Sequence, residues 1–168
     1  LDIFSRTAKL HAKNMALVDG VRSYTYEQLM DHVARTASWL CKIGLVKGDS
    51  LILYGSNRAE HILLQLACAQ LGVIFSPVHA AFMAREIEYV LKKCTPKVSV
   101  IGSEVAERFW AGMAQAEYDC DVYEFQDGEA SGNMSKPYPD VCVIEPSYDV
   151  ENVGPEAPLI IMFTSGSS

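Results

Sequence analysis

Residues 51–77 read LILYGSNRAEHILLQLACAQLGVIFSP. A short apolar run, Leu51-Ile52-Leu53-Tyr54, gives way to the turn-forming trio Gly55-Ser56-Asn57. The spacing then predicts a helix over 58–71. Its apolar residues Ile62, Leu63, Leu66, Ala67, Cys68, Ala69 and Leu71 lie almost all round, so burial on more than one side is expected. Gly72 stops it in the usual C-terminal manner. Val73-Ile74-Phe75 is the next strand, closed by Pro77. Both strands are short, apolar and not strictly alternating, the pattern of a parallel sheet covered on both faces.

The same alternation extends outward. Upstream, Ala16-Leu17-Val18 and Ser23-Tyr24 flank the tight-turn pair Asp19-Gly20, which predicts a hairpin. Thr25 with Gln28 three residues on makes a capping box, and Leu29, Val33, Ala37 and Leu40 recur at helical spacing up to Gly44. Downstream, helices are expected over 84–93 and 104–116, and strands over 98–101 and 121–125. Residues 127–140 are polar and rich in Gly, Ser and Pro, and read as a surface loop or linker. Val141 to Ile144 reads as a short edge segment, and Leu159 to Phe163 as a last buried strand. The reading is an α/β fold with a largely parallel sheet and flanking helices, residues 1–168 forming part of one domain. The pattern carries no strand order.

Composition narrows the function classes. Of 168 residues, 49% are hydrophobic and 21% charged, enough for a real core. The net charge of -7 argues against nucleic-acid binding and against adhesion to an anionic membrane. No apolar run approaches the roughly 18 residues of a membrane span, and residues 1–14 do not read as a signal peptide. The five cysteines, Cys41, Cys68, Cys94, Cys120 and Cys142, are widely spaced with no CxxC. They read as reduced thiols of an intracellular protein, most of them filling core. Cytoplasm, mitochondrion and peroxisome all remain open. The four histidines form no metal-ligand spacing, and no metal site is expected in these residues.

Chemistry concentrates at Phe163-Thr164-Ser165-Gly166-Ser167-Ser168. An apolar strand there runs into small hydroxylic residues and a glycine. In open α/β sheets, ligands bind beyond the carboxyl ends of strands. Glycine lets backbone amides approach an anion, and Ser and Thr hydroxyls donate to phosphate oxygens without bulk. On composition alone, a surface loop is the commoner reading of such a cluster. The segment is not a Walker A loop, and no GxGxxG occurs. Elsewhere, His79 at a strand end reads chiefly as a structural hydrogen-bonder. Arg58, Glu60 and His61 read as a helix start, and Lys92, Lys93 and Lys97 as a solvated face. Phe75, Phe82, Tyr89 and Trp110 read as core.

Three stretches, in order, resemble the opening part of the ANL superfamily of adenylate-forming enzymes. They are Ala16-Leu17-Val18 through Tyr24-Thr25-Tyr26-Glu27-Gln28-Leu29, then Ala69 to Val78 followed by Glu86 to Leu91, and finally Phe163 to Ser168. The last is similar to the start of that family's phosphate loop. The resemblance covers nearly the whole chain apart from 127–158. It implies an ATP-dependent acyl-CoA synthetase: a fatty or aryl carboxylate attacks ATP to give an acyl-adenylate, and CoA then takes the acyl group. ATP, Mg2+ and CoA are the implied small molecules, and Thr164, Ser165, Gly166, Ser167 and Ser168 the implied phosphate binders. No catalytic residue and no metal ligand is carried over. The family's loop lysine, adenine-binding strand, magnesium-linked glutamate and C-terminal domain have no counterpart here. The chain is therefore expected to be an N-terminal fragment, catalytically silent by itself and prone to self-association through uncovered apolar surface. The rival expectations are a non-catalytic pseudoenzyme and a module for another phosphorylated ligand.

Overall fold

In the computed structural model the described residues are 2–125, 134–147, 153–154 and 156–163. They fall into two compact units, one of Leu1–Lys47, Asn57–Val73 and Asp140–Ala157, the other of Gly48–Ser56, Ile74–Pro139 and Pro158–Ser168.

The first unit holds α1 (Asp2–Leu10), the hairpin strands β1 (Met15–Asp19) and β2 (Arg22–Thr25), α2 (Tyr26–Lys42) and α3 (Ala59–Leu71). The expected capping box is present: the Gln28 amide donates to Thr25 Oγ1 at 3.3 Å, and the Thr25 amide to Gln28 Oε1 at 2.9 Å. It orients α2 so that Leu29, Val33, Ala37 and Leu40 are buried. Of the apolar set predicted for α3, Ile62 alone is exposed; Leu63, Ala67, Cys68 and Leu71 are buried and Leu66 and Ala69 half-buried. The helix ends at Gly72, whose φ of 70° is left-handed. The 141–147 segment is held on α2: the Arg35 guanidinium donates to the Ile144 carbonyl at 2.7 Å, and the Ser147 amide to Ser38 Oγ at 2.7 Å. Val141–Val143 forms a 3-10 turn and not the edge segment expected, because the Asp140 carboxylate takes the Cys142 amide at 2.9 Å.

Arg58 offers α3 no side-chain cap. The cap comes from the hairpin: Asp19 Oδ2 accepts the Ala59 amide at 2.8 Å, while Arg22 joins Asp19 to Glu60. The Ala59 amide first, and then Arg22, hold the Asp19 carboxyl below the ordinary carboxylate range. A depressed carboxyl stabilises the fold above its unfolded pKa of about 3.9 and loses that contribution as pH falls through the folded value. Asp19→Ala is expected to cost about 1 kcal/mol at pH 7 in urea unfolding. The gap from wild type should begin to narrow below about pH 4 and go on narrowing as pH falls further.

The second unit is a five-stranded parallel sheet: β3 (Ser50–Gly55), β4 (Ile74–His79), β5 (Val98–Ile101), β6 (Asp121–Glu124) and β7 (Lys136–Pro137), in the order β4-β3-β5-β6-β7. Two helices, α4 (Ala84–Cys94) and α5 (Ala106–Ala116), share one core with it, formed by Ile52, Tyr54, Ile87, Leu91, Phe109 and their neighbours. The α/β architecture with a parallel sheet is thus as read.

Three local readings change. β4 does not close at Pro77 but runs through it to His79. Phe75 turns its amide and carbonyl outward, to Leu159 and Ile161, so Pro77, two residues on, has its ring nitrogen on the same outer side. A missing donor costs nothing there. Within 127–140, read as a loop, Lys136–Pro137 adds the fifth strand beside Tyr123 and Glu124. Finally, Leu159–Phe163 is no buried strand: one bridge joins Ile160 to Phe75, and Leu159 and Met162 are 46% and 72% exposed. No helix among the described residues is long and apolar enough to cross a membrane.

Candidate functional site at the carboxyl edge of the parallel sheet

Numbered along the chain within this sheet, the strand order is 2-1-3-4-5. The chain leaves β3 toward one side to make β4, then returns past it to make β5. Sheets of this order take ligands where that reversal opens a crevice, at the carboxyl ends of the first and third strands. Here those ends are Gly55-Ser56 and Gly102-Ser103-Glu104.

The two backbones lie very close. The Gly102 amide makes the last ladder bond, to the Tyr54 carbonyl at 2.9 Å. A Cβ on Gly55 would stand 3.1 Å from the Gly102 nitrogen, and one on Gly102 only 2.1 Å from Glu104 Oε2. A side chain at Gly55 would press on backbone, and one at Gly102 would displace the Glu104 carboxylate. The exposed Glu104 folds back over them, and its Oε1 accepts the Ser56 amide at 2.7 Å. Beside it, the Tyr54 hydroxyl donates to the Phe82 carbonyl at 2.6 Å and so fastens the β4–α4 connection to the sheet. Burial raises the Tyr54 pKa, which keeps the phenol neutral and donating.

The other predicted residues separate clearly. Thr164, Ser165, Gly166, Ser167 and Ser168 lie outside the described residues. His79 is exposed at the end of β4, and its Nδ1 accepts the Ala81 amide at 3.1 Å, a turn-forming bond. Lys92 pairs with Glu88 at 2.7 Å and Lys97 with Asp49 at 2.8 Å, while Lys93 lies over the Tyr89 ring. Arg85, Glu88, Tyr89, Lys92 and Lys93 line only an open hollow on α4, in keeping with a solvated face. Phe75 is buried, and Phe82 and Trp110 pack on the core, but Tyr89 is 56% exposed and meets Phe163 edge-on. Cys68 and Cys94 are buried and Cys120 is half-buried. Burial pushes all three thiols up, so they stay protonated and are poor nucleophiles. Among the described residues, no group of three or more His, Cys, Asp or Glu side chains is placed to hold a metal ion. Sequence reasoning missed Glu104 and its two glycines. The signal available was a glycine directly after each of two apolar strands.

The chain belongs to the AMP-binding enzyme family, whose model matches residues 4–168. Over 97 residues it is 44% identical to the mitochondrial medium-chain acyl-CoA ligase ACSF2 of Macaca fascicularis, a match covering 56% of this chain and 16% of that protein. It is 27% identical over 161 residues to the acetyl-coenzyme A synthetase of Pseudoalteromonas atlantica, covering 86% and 25% respectively. The chain thus spans a quarter or less of the length of these relatives. Among solved structures, a fatty acyl CoA synthetase of Mycobacterium tuberculosis superposes with a TM-score of 0.82 at 24% identity, over 97% of this chain and 32% of that one. Coronafacic acid ligase from Pectobacterium brasiliense gives 0.81 at 18% identity, over 96% and 33%. At such identities these two support the fold alone.

Proposed function

We propose that this chain is the opening part of an AMP-forming acid–CoA ligase. The observation that carries the reading is the family match across residues 4–168, joined to relatives named as acyl-CoA and acetyl-CoA ligases. In this reading a carboxylate oxygen attacks the α-phosphorus of ATP, and pyrophosphate leaves. The thiol of CoA then attacks the acyl carbon and AMP leaves. Thr164, Ser165, Gly166, Ser167 and Ser168 hold the β- and γ-phosphates in this reading: their hydroxyl and backbone N–H donors stabilise the growing charge of the leaving group. Magnesium belongs to this reading as the companion of ATP's phosphates.

The higher identity to ligases named for medium-chain acids favours a fatty over an aryl substrate, and their mitochondrial designation favours that compartment. The 168-residue chain is proposed to be silent by itself, since it spans a quarter or less of the length of the relatives named as ligases. Carboxylate-dependent ATP–pyrophosphate exchange tests both statements. Exchange is expected from the full-length protein with a medium-chain acid and none from the chain. Exchange by the chain overturns its silence. No exchange by the folded full-length protein across short, medium, long and aryl acids overturns the ligase reading in favour of a pseudoenzyme. Self-association of the isolated chain is also proposed, on the exposure of Met83, Tyr89 and Met162. Sedimentation at rising concentration should show a growing mean mass, and a constant monomer mass would refute it.

A further inference from the structure

We propose that Glu104 is a built-in anion that closes the switch-point crevice of the sheet to phosphorylated ligands. This goes beyond the ligase reading and does not depend on it. The strand order directs ligands to the carboxyl ends of β3 and β5. The floor of that crevice is bare backbone, as a phosphate or sulfate group would need: neither Gly55 nor Gly102 carries a side chain, and an added Cβ at either would meet backbone or the Glu104 carboxylate. The carboxylate is itself in contact with this floor. Its Oε1 takes the Ser56 amide at 2.7 Å, the short distance of a bond to an ionised acceptor. Glu104 lies in the 3-10 turn Ser103–Val105 that leads into α5, where negative charge is favoured.

The protein's own carboxylate therefore stands where the oxyanion of a ligand would stand in a sheet of this order. It excludes such a ligand twice over. It fills the space above the glycines, and its charge repels a second anion. Because Glu104 is exposed and reaches back on a flexible side chain, the closure is local and can be opened without dismantling the sheet.

The test is amide hydrogen exchange by mass spectrometry on the full-length protein, read at the peptide spanning residues 51–58. The probe is inorganic sulfate, compared with chloride at equal ionic strength. In wild type the Ser56 amide should exchange slowly, with no response to sulfate. In Glu104→Ala it should exchange on the order of tenfold faster, and sulfate should slow it again. Should Glu104→Ala loosen the whole sheet, seen as faster exchange across β3 and β5 together, Glu104→Gln decides. That variant keeps an acceptor and loses the charge, and it should show a smaller acceleration confined to 51–58 with a partial sulfate response. The proposal is overturned by unchanged exchange in both variants, by acceleration that sulfate does not reverse, or by a wild-type peptide that sulfate slows as much as it slows the alanine variant.

Discussion

Phe109→Ala is expected to lower the unfolding free energy by about 3–5 kcal/mol, the range for deleting a buried aromatic. Phe109 is fully buried on α5, in the core shared by the sheet and both its helices. Its ring lies 6.3 Å from that of Tyr54 on β3 and 5.6 Å from that of Trp110, the second pair edge-on. Removing it deletes both ring contacts and leaves a cavity, and the cavity sits between elements that cannot all collapse at once. In urea the midpoint should fall with the slope unchanged, by about 2 M if the slope is near 2 kcal/mol per molar. Phe109→Leu, which keeps most of the volume, should recover much of the loss. A midpoint shift worth under about 1 kcal/mol for the alanine variant would mean that α5 is not docked on β3 as described.

Gly112→Ala should be the second large effect, and its sign is the informative part. At an exposed helix position this change stabilises by about 1 kcal/mol, because alanine is the better helix former. Gly112 lies in α5 where it crosses α4. A Cβ there would stand 2.7 Å from both Cβ and Cγ2 of Ile87 and 2.9 Å from the Ala84 carbonyl oxygen. Two of those atoms belong to the backbone or sit directly on it and cannot swing aside. The helices must separate, and overpacking of this kind costs about 1–3 kcal/mol. Adding Ile87→Ala removes the Cγ2 contact, so the double variant should lose less than the sum of the two single losses. A Gly112→Ala variant more stable than wild type would show that the helices lie farther apart than these distances.

Local interactions were the legible part of this fold. Thr25 and Gln28 satisfy each other within one turn, so the start of α2 can be read from four residues. Gly72 ends α3 through its own backbone preference. The strand order was not legible, because nothing in residues 51–54 distinguishes a partner 24 residues on from one 47 residues on, and β3 takes both (Ser50 with Ile74, Leu51 with Val98). Pro77 misled because its effect depends on which way one amide points, and that follows from Phe75 being bonded on the outer side. Lys136–Pro137 has no strand character of its own and is a strand only because β6 offers it an edge. At the candidate site, the glycines after two apolar runs were visible as residues. Their meeting, with Glu104 laid across them, exists only once β3 and β5 are neighbours. The phosphate-binding segment 164–168 was read from its likeness to a family loop, and exchange activity is its test.

The central place of β3 also sets a timetable for synthesis. All six of its residues are buried in the finished fold, yet Val98, which pairs with Leu51, is made 47 residues later. At about 5–20 residues per second, that delay is roughly 2–9 s. Through it, Leu51-Ile52-Leu53-Tyr54 is an apolar, proline-free stretch with an open edge, the composition that pairs with other chains. The charged residues on either side, Lys47, Asp49 and Arg58, then act as gatekeepers before they act as anything else. Neutralising them should be felt first in the soluble yield of newly made protein, and only weakly in the stability of molecules that have already folded.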